Sequence, residues 1–296
     1  MTTNLEKGIY YISISSLCSA LFGLFVKLSS LHLPITFLMV MRFFVPLLIC
    51  IPLFWVSGTF KKIKTSAQWK PAFIRSFFMV LSQYCYFYYI SKSSLLNATL
   101  LFNTAPVFIP LITKFIFKHG EVKAFSKSIV ISLIGVAFVI QPDQKLLMIE
   151  SVVGLLSGVF LAFSQAIYAE NVRENEVPEN LFFVFLYSTL MSLLVLIVFF
   201  FQHFKAGLAS LAAQTTAEWV FVLLIGLFTS LNQYFRGQAY LKVKPYLLAP
   251  LMNLAILFAF FLDLFIFKKT PDYLSIMGSL LIVLGSLTKW YTLRKR

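Results

Sequence analysis

Four side-chain amides inside long apolar stretches are the residues best placed to do chemistry: Gln83, Asn103, Gln233 and Asn253. An amide both donates and accepts hydrogen bonds. In hydrocarbon those groups must find partners, so each should face the protein interior. The four form two pairs, each pair 150 residues apart. Tyr84 follows Gln83 as Tyr234 follows Gln233, and a tyrosine beside an amide can stack on a planar solute while bonding its polar edge. Gln165 is a further amide of the same kind. One reading makes these residues a ring of donors and acceptors around a central cavity; the other makes them glue between helices.

Ionisable residues in apolar surroundings extend the set. Arg42 and Arg236 are candidates for the cavity wall, and Glu170 and Asp263 are the carboxylates placed to carry a proton. Neither carboxylate sits at mid-span, so exchange without proton coupling stays open. Pro106 and Pro110 interrupt one apolar stretch and Pro250 another, as hinges or as static bends.

The pairing belongs to a longer repeat. Trp69 matches Trp219, Phe115-Ile116-Phe117-Lys118 matches Phe265-Ile266-Phe267-Lys268, and Gly135 matches Gly285. From Thr65 to Ala137, 17 of 73 positions equal their partners without a gap, where this composition would give about 6 by chance. More loosely, Gly8 to Lys27 can be set against Gly154 to Arg173, and Pro34 against Pro178.

The elements that must position these residues are membrane helices. The chain is 59% hydrophobic and 12% charged, with mean hydropathy +0.86, more apolar surface than a soluble protein of 296 residues can hide. Ten spans are expected: 8–28, 35–56, 71–91, 95–117, 127–141, 152–171, 181–203, 218–240, 246–267 and 273–290. The fold class is therefore all-α and polytopic, with ten transmembrane helices in two inverted five-helix repeats, 1–141 and 152–290. A basic tail, 291–296, closes the chain. Equivalent residues lie five crossings apart, an odd number, so the halves should sit upside down relative to each other. Such halves exchange inward-open and outward-open states around a site near the midplane.

A net charge of +14 would suggest nucleic acid in a soluble protein. Here the charge collects in loops on one side, including Lys61, Lys62, Lys64 and the tail Arg294, Lys295 and Arg296. That is the positive-inside pattern with both termini cytoplasmic, so no nucleic-acid partner is expected. Cys18, Cys50 and Cys85 have neither disulfide nor metal-ligand spacing, and no metal or cofactor is expected. The segment before the first span is short, and that span is read as uncleaved.

Arg42-Phe43-Phe44 in the second span, Asn103-Thr104-Ala105-Pro106-Val107-Phe108 in the fourth, and Gly135 and Gly285 in the closing spans carry a family likeness. Over nearly its whole length the chain resembles the EamA-type branch of the drug/metabolite transporter superfamily. One departure is visible: Gly120-Glu121 after the fourth span keeps the family's usual pair, whereas Lys269-Thr270-Pro271 replaces it after the ninth. The resemblance implies transport of small organic solutes, among them amino acids, drugs, nucleotide-like metabolites and S-adenosylmethionine.

An enzyme would need a catalytic constellation. His32, His119 and His203 fall in loops or at span ends, and no phosphate-cradling glycine loop occurs. The expectation is a secondary transporter of the bacterial inner membrane, moving a small polar metabolite by alternating access. A lipid flippase or a structural membrane subunit is the alternative, and a homodimer is compatible with either.

Overall fold

Runs of twenty or so apolar residues have one economical solution in a bilayer, a helix that satisfies its own backbone. The computed structural model describes residues 2–30, 33–56, 69–117, 131, 134–135, 138, 149–171, 177–212, 215–243, 248, 251–268, 272–274, 276–281 and 283–284. Among them are nine helices and no strand. They are α1 (Thr2–Ser29), α2 (Ile35–Val56), α3 (Trp69–Lys92), α4 (Leu95–Phe102), α5 (Ala105–Phe117), α6 (Ile149–Asn171), α7 (Val177–Ala212), α8 (Thr216–Lys242) and α9 (Leu254–Phe265).

Among the described residues, six stretches are long and apolar enough to cross a membrane: Asn4–Ser29, Ile35–Pro52, Leu95–Phe115, Ile149–Asn171, Val177–Val198 and Thr216–Lys242. The expected third span is the 24-residue helix α3, held below that level of hydropathy by Lys70, Arg75, Ser82, Gln83 and other polar residues. Most of the expected fifth and tenth spans, 127–141 and 273–290, lies outside the described residues. Ile131 and Ile134 in one and residues 276–281 in the other are helical. Pro250 and the 291–296 tail also lie outside them.

The expected fourth span is two helices. α4 ends at Asn103, whose backbone N–H still reaches the Thr99 carbonyl at 2.9 Å. Asn103 Nδ2 donates to the same carbonyl at 2.8 Å, and Thr104 Oγ1 donates to the Leu101 carbonyl at 2.7 Å. Side-chain donors thus add to the backbone bonds on the carbonyls of the last turn of α4. Pro106 then falls in the first turn of α5, where its missing N–H costs nothing. Pro110 lies further along α5. On the other side of the repeat α9 starts at its N-cap Asn253, the partner of Asn103.

Helices from the two sequence halves interleave. α1 packs along α8, α3 along α6, and α2 against both α7 and α8. Small residues make the close approaches. A Cβ on Gly154 would stand 2.7 Å from Leu101 Cδ1 and 2.9 Å from the Tyr89 ring, and one on Gly158 would stand 2.5 Å from the Leu101 carbonyl oxygen. α6 therefore presses on the α4–α5 break. Where α1 crosses α8, Asn232 Nδ2 donates to the Ser15 carbonyl at 2.7 Å and Ser15 Oγ donates to the Asn232 carbonyl at 3.0 Å. Ser82, the repeat partner of Asn232, joins α3 to the Ser157 carbonyl of α6 at 2.8 Å.

Candidate functional site

A cavity opens where the two halves meet. α1 supplies Ser19 and Phe22, α2 Arg42, α3 Gln83, α4 Phe102 and α6 Leu161; α8 supplies Thr229, Asn232, Gln233 and Arg236. In this conformation it is narrow, with room for about one water molecule. Asn232 is tied to Ser15, but several other lining groups have no protein partner: Arg42 Nε and Nη1, both amide atoms of Gln83, Thr229 Oγ1 and Arg236 Nε. Buried polar groups of that kind cost about 1–3 kcal/mol each when unmatched, more when charged. A fold keeps such a concentration of them where something else meets their needs.

The helical spacing explains the convergence. Thr229, Asn232, Gln233 and Arg236 follow at intervals of three, four and seven, which puts them on one face of α8. Arg42 lies over the Phe22 ring with its guanidinium carbon 3.8 Å from the centroid, which fixes the cation against an apolar wall. Behind the cavity, Arg75 donates to Gln233 Oε1 at 3.0 Å and to Asn180 Oδ1, and lies 3.5 Å over the Tyr168 ring. Arg75 thereby joins α3, α7 and α8 and orients Gln233.

Of the residues singled out in the sequence, Arg42, Gln83, Gln233 and Arg236 come together here. Asn103 and Asn253 are buried at the two helix breaks and do not line the cavity. Gln165 is buried in α6 and its Oε1 accepts from Tyr240 at 3.4 Å. Tyr84 is half-buried outside the lining, and Tyr234 is 38% exposed on the outer face of α8. Asp263 is buried and accepts from the Leu96 backbone N–H at 2.6 Å, placing a carboxylate on the first turn of α4. Glu170 is half-buried near the end of α6. Among the described residues no group of His, Cys, Asp and Glu could hold a metal ion.

Ser19, Thr229 and Asn232 were not foreseen. Thr229 and Asn232 share the α8 face of Gln233 and Arg236, a signal present in the sequence. Ser19 stands where Gln165 stands when Gly8 is set against Gly154.

A family model for the EamA-like transporter family matches residues 6–141 and again 148–288. The chain belongs to that family. It is thus a membrane transporter of the drug/metabolite transporter superfamily. An uncharacterized transporter of Helicobacter pylori is 25% identical, the match covering 97% of this chain and 95% of the relative. The pseudopaline exporter CntI of Pseudomonas aeruginosa is 24% identical over 95% of each chain. A solved crystal structure, 16% identical, superposes over 99% of both chains with a TM-score of 0.67 and shares the fold. The EamA-like chain is thus a multi-pass membrane protein whose apolar helices enclose a polar, cationic cavity.

Proposed function

We propose that this transporter moves a small polar organic metabolite across the bacterial inner membrane by alternating access, with the cavity between α2, α3 and α8 as its binding site. The observation that carries the reading is the convergence of Gln83 and Gln233, repeat partners on different helices, with Arg42 and Arg236 around one buried space. A ring drawn from both halves is what inverted repeats need if both states are to hold the same solute. The narrowness of the cavity suits a closed conformation, loading from a wider one on either side. The broken spans at Asn103 and Asn253 supply the moving parts, with Pro106 in the first turn of the second half of one of them.

The solute crosses unchanged, and both termini face the cytoplasm by the positive-inside rule. One relative is named as an exporter, which supports outward movement here. The test is uptake and efflux of labelled solutes by purified protein in liposomes, comparing wild type with Gln83→Ala. The expected result is saturable flux in wild type and a loss of about tenfold or more in the variant, since an amide facing the solute contributes on the order of 1–2 kcal/mol. Flux indifferent to Gln83→Ala would return the amide to a packing role. Lipid scrambling without solute flux would make the protein a flippase.

A further inference from the structure

We propose that the occupant of this cavity is an organic dianion, one negative charge held at Arg42 and a second at Arg236. The proposal rests on the transport reading of the same site and narrows its substrate class. Both guanidinium groups line one cavity, and each residue is only 4% exposed. Arg42 Nε and Nη1 and Arg236 Nε have no acceptor from the protein. A guanidinium keeps its proton in proteins, so two full positive charges face the space.

Nothing in the wall offsets them. No lining residue is acidic. The buried acids among the described residues are Glu179 and Asp263. Asp263 is engaged at the start of α4, and Glu179 sits in the first turn of α7; neither borders the cavity. Arg75 adds a third cation directly behind Gln233 and is held by neutral amides. A buried cation without a counter-charge is strongly unfavourable, so the occupant must bring the missing charge. A neutral solute would leave both arginines uncompensated and a singly charged one would leave one. A cation, or an amino acid with its ammonium group, would add repulsion.

The rest of the lining describes the body of the solute. Phe102 and Leu161 offer apolar surface to a short carbon skeleton. Gln83 supplies a donor and an acceptor, and Thr229 a hydroxyl, for a neutral polar substituent.

The experiment is binding to full-length protein in detergent at fixed ionic strength, read by thermal unfolding and titration. Succinate is compared with monomethyl succinate and succinamide, and ethyl phosphate with diethyl phosphate. The expected result is that succinate, ethyl phosphate or both bind about tenfold or more tightly than their singly charged or neutral counterparts. The arm that responds separates carboxylate from phosphate recognition. Arg42→Gln and Arg236→Gln should each erase the preference for the second charge. If a variant fails to fold, the comparison of each dianion with its singly charged counterpart on wild type still decides. Equal binding of a dianion and its singly charged counterpart, or tighter binding of a neutral or cationic solute, would overturn the proposal.

Liposomes made with the same protein separate the two readings. Saturable flux of zwitterionic or neutral solutes, with dianions ignored, would keep the transporter and remove the dianion. Selective dianion binding with no flux of any solute would keep the charge assignment and remove the transport reading.

Discussion

Arg42 and Arg75 are two buried cations in nearly the same local setting, with opposite hydrogen-bonding. Each sits over an aromatic ring, Phe22 at 3.8 Å and Tyr168 at 3.5 Å, and those rings are equivalent positions once Gly8 is aligned with Gly154. The two faces of Arg75 that leave the ring meet Asn180 and Gln233. The corresponding edge of Arg42 meets no protein acceptor and faces the cavity. Burial alone does not separate a structural cation from a ligand-binding one. What separates them is whether the fold supplies acceptors: Arg75 has two neutral amides, although its Nε, like that of Arg42, has no partner.

The comparison breaks most visibly in stability. Arg75→Ala strips Asn180 and Gln233 of their donor and leaves space beside Tyr168, at a cost of about 3 kcal/mol or more. Arg42→Gln removes a charge the protein does not answer, so thermal stability should hold or rise slightly while solute binding is lost. Thermal unfolding in detergent for both variants, with a binding assay for the second, measures the contrast. A stability loss at Arg42 as large as at Arg75 would mean that both are structural.

A smaller effect is expected at the helix break. Gly158→Ala sets a methyl against the Leu101 carbonyl and Thr104, which must shift, at a cost of about 1–3 kcal/mol. Because α4 carries Phe102 into the cavity, flux should fall with stability. Gly8→Ala meets only the side chains of Val243 and Leu248 and should be milder. Equal losses in an unfolding assay would show that the break is not a special point of contact.

The break also marks where sequence reasoning fell short. Pro106 suggested a kink of its own making, yet the helix parts at Asn103–Thr104, before the proline, where side-chain donors add to the backbone bonds on the carbonyls. The partner break occurs at Asn253, and the residue matching Pro106 there is Ile256. The shared signal was the asparagine. For the cavity, Gln83, Gln233, Arg42 and Arg236 were legible because polar groups in apolar spans have few places to go. Asn180 was not, because it lies in the first turn of α7, at the end of a span, where a polar residue is ordinary. That Tyr234 points outward while Gln233 points inward is settled by helix rotation, which a dense aromatic run such as Tyr84-Cys85-Tyr86-Phe87 conceals. Tyr88 and Tyr89, in the same aromatic run, divide in the same way. Tyr88 accepts from Lys92 at 3.2 Å at the helix end, while Tyr89 is buried against Gly154.

The smallest expected effect concerns Asp263, which tests whether a buried carboxylate follows the same rule as the arginines. It already has a partner, the Leu96 N–H, at the positive end of α4. A carboxylate whose charge is answered by a helix terminus resembles Arg75 rather than Arg42. Asp263→Asn keeps an acceptor of similar shape and loses the charge, so it should cost about 1 kcal/mol of stability. Asp263→Ala, which leaves the N–H unanswered, should cost about twice that. In liposomes the response of flux to an imposed proton gradient should survive Asp263→Asn at whatever size wild type shows. A gradient response that vanishes in this variant, with unfolding unchanged, would make Asp263 a proton carrier and break the rule drawn from the two arginines.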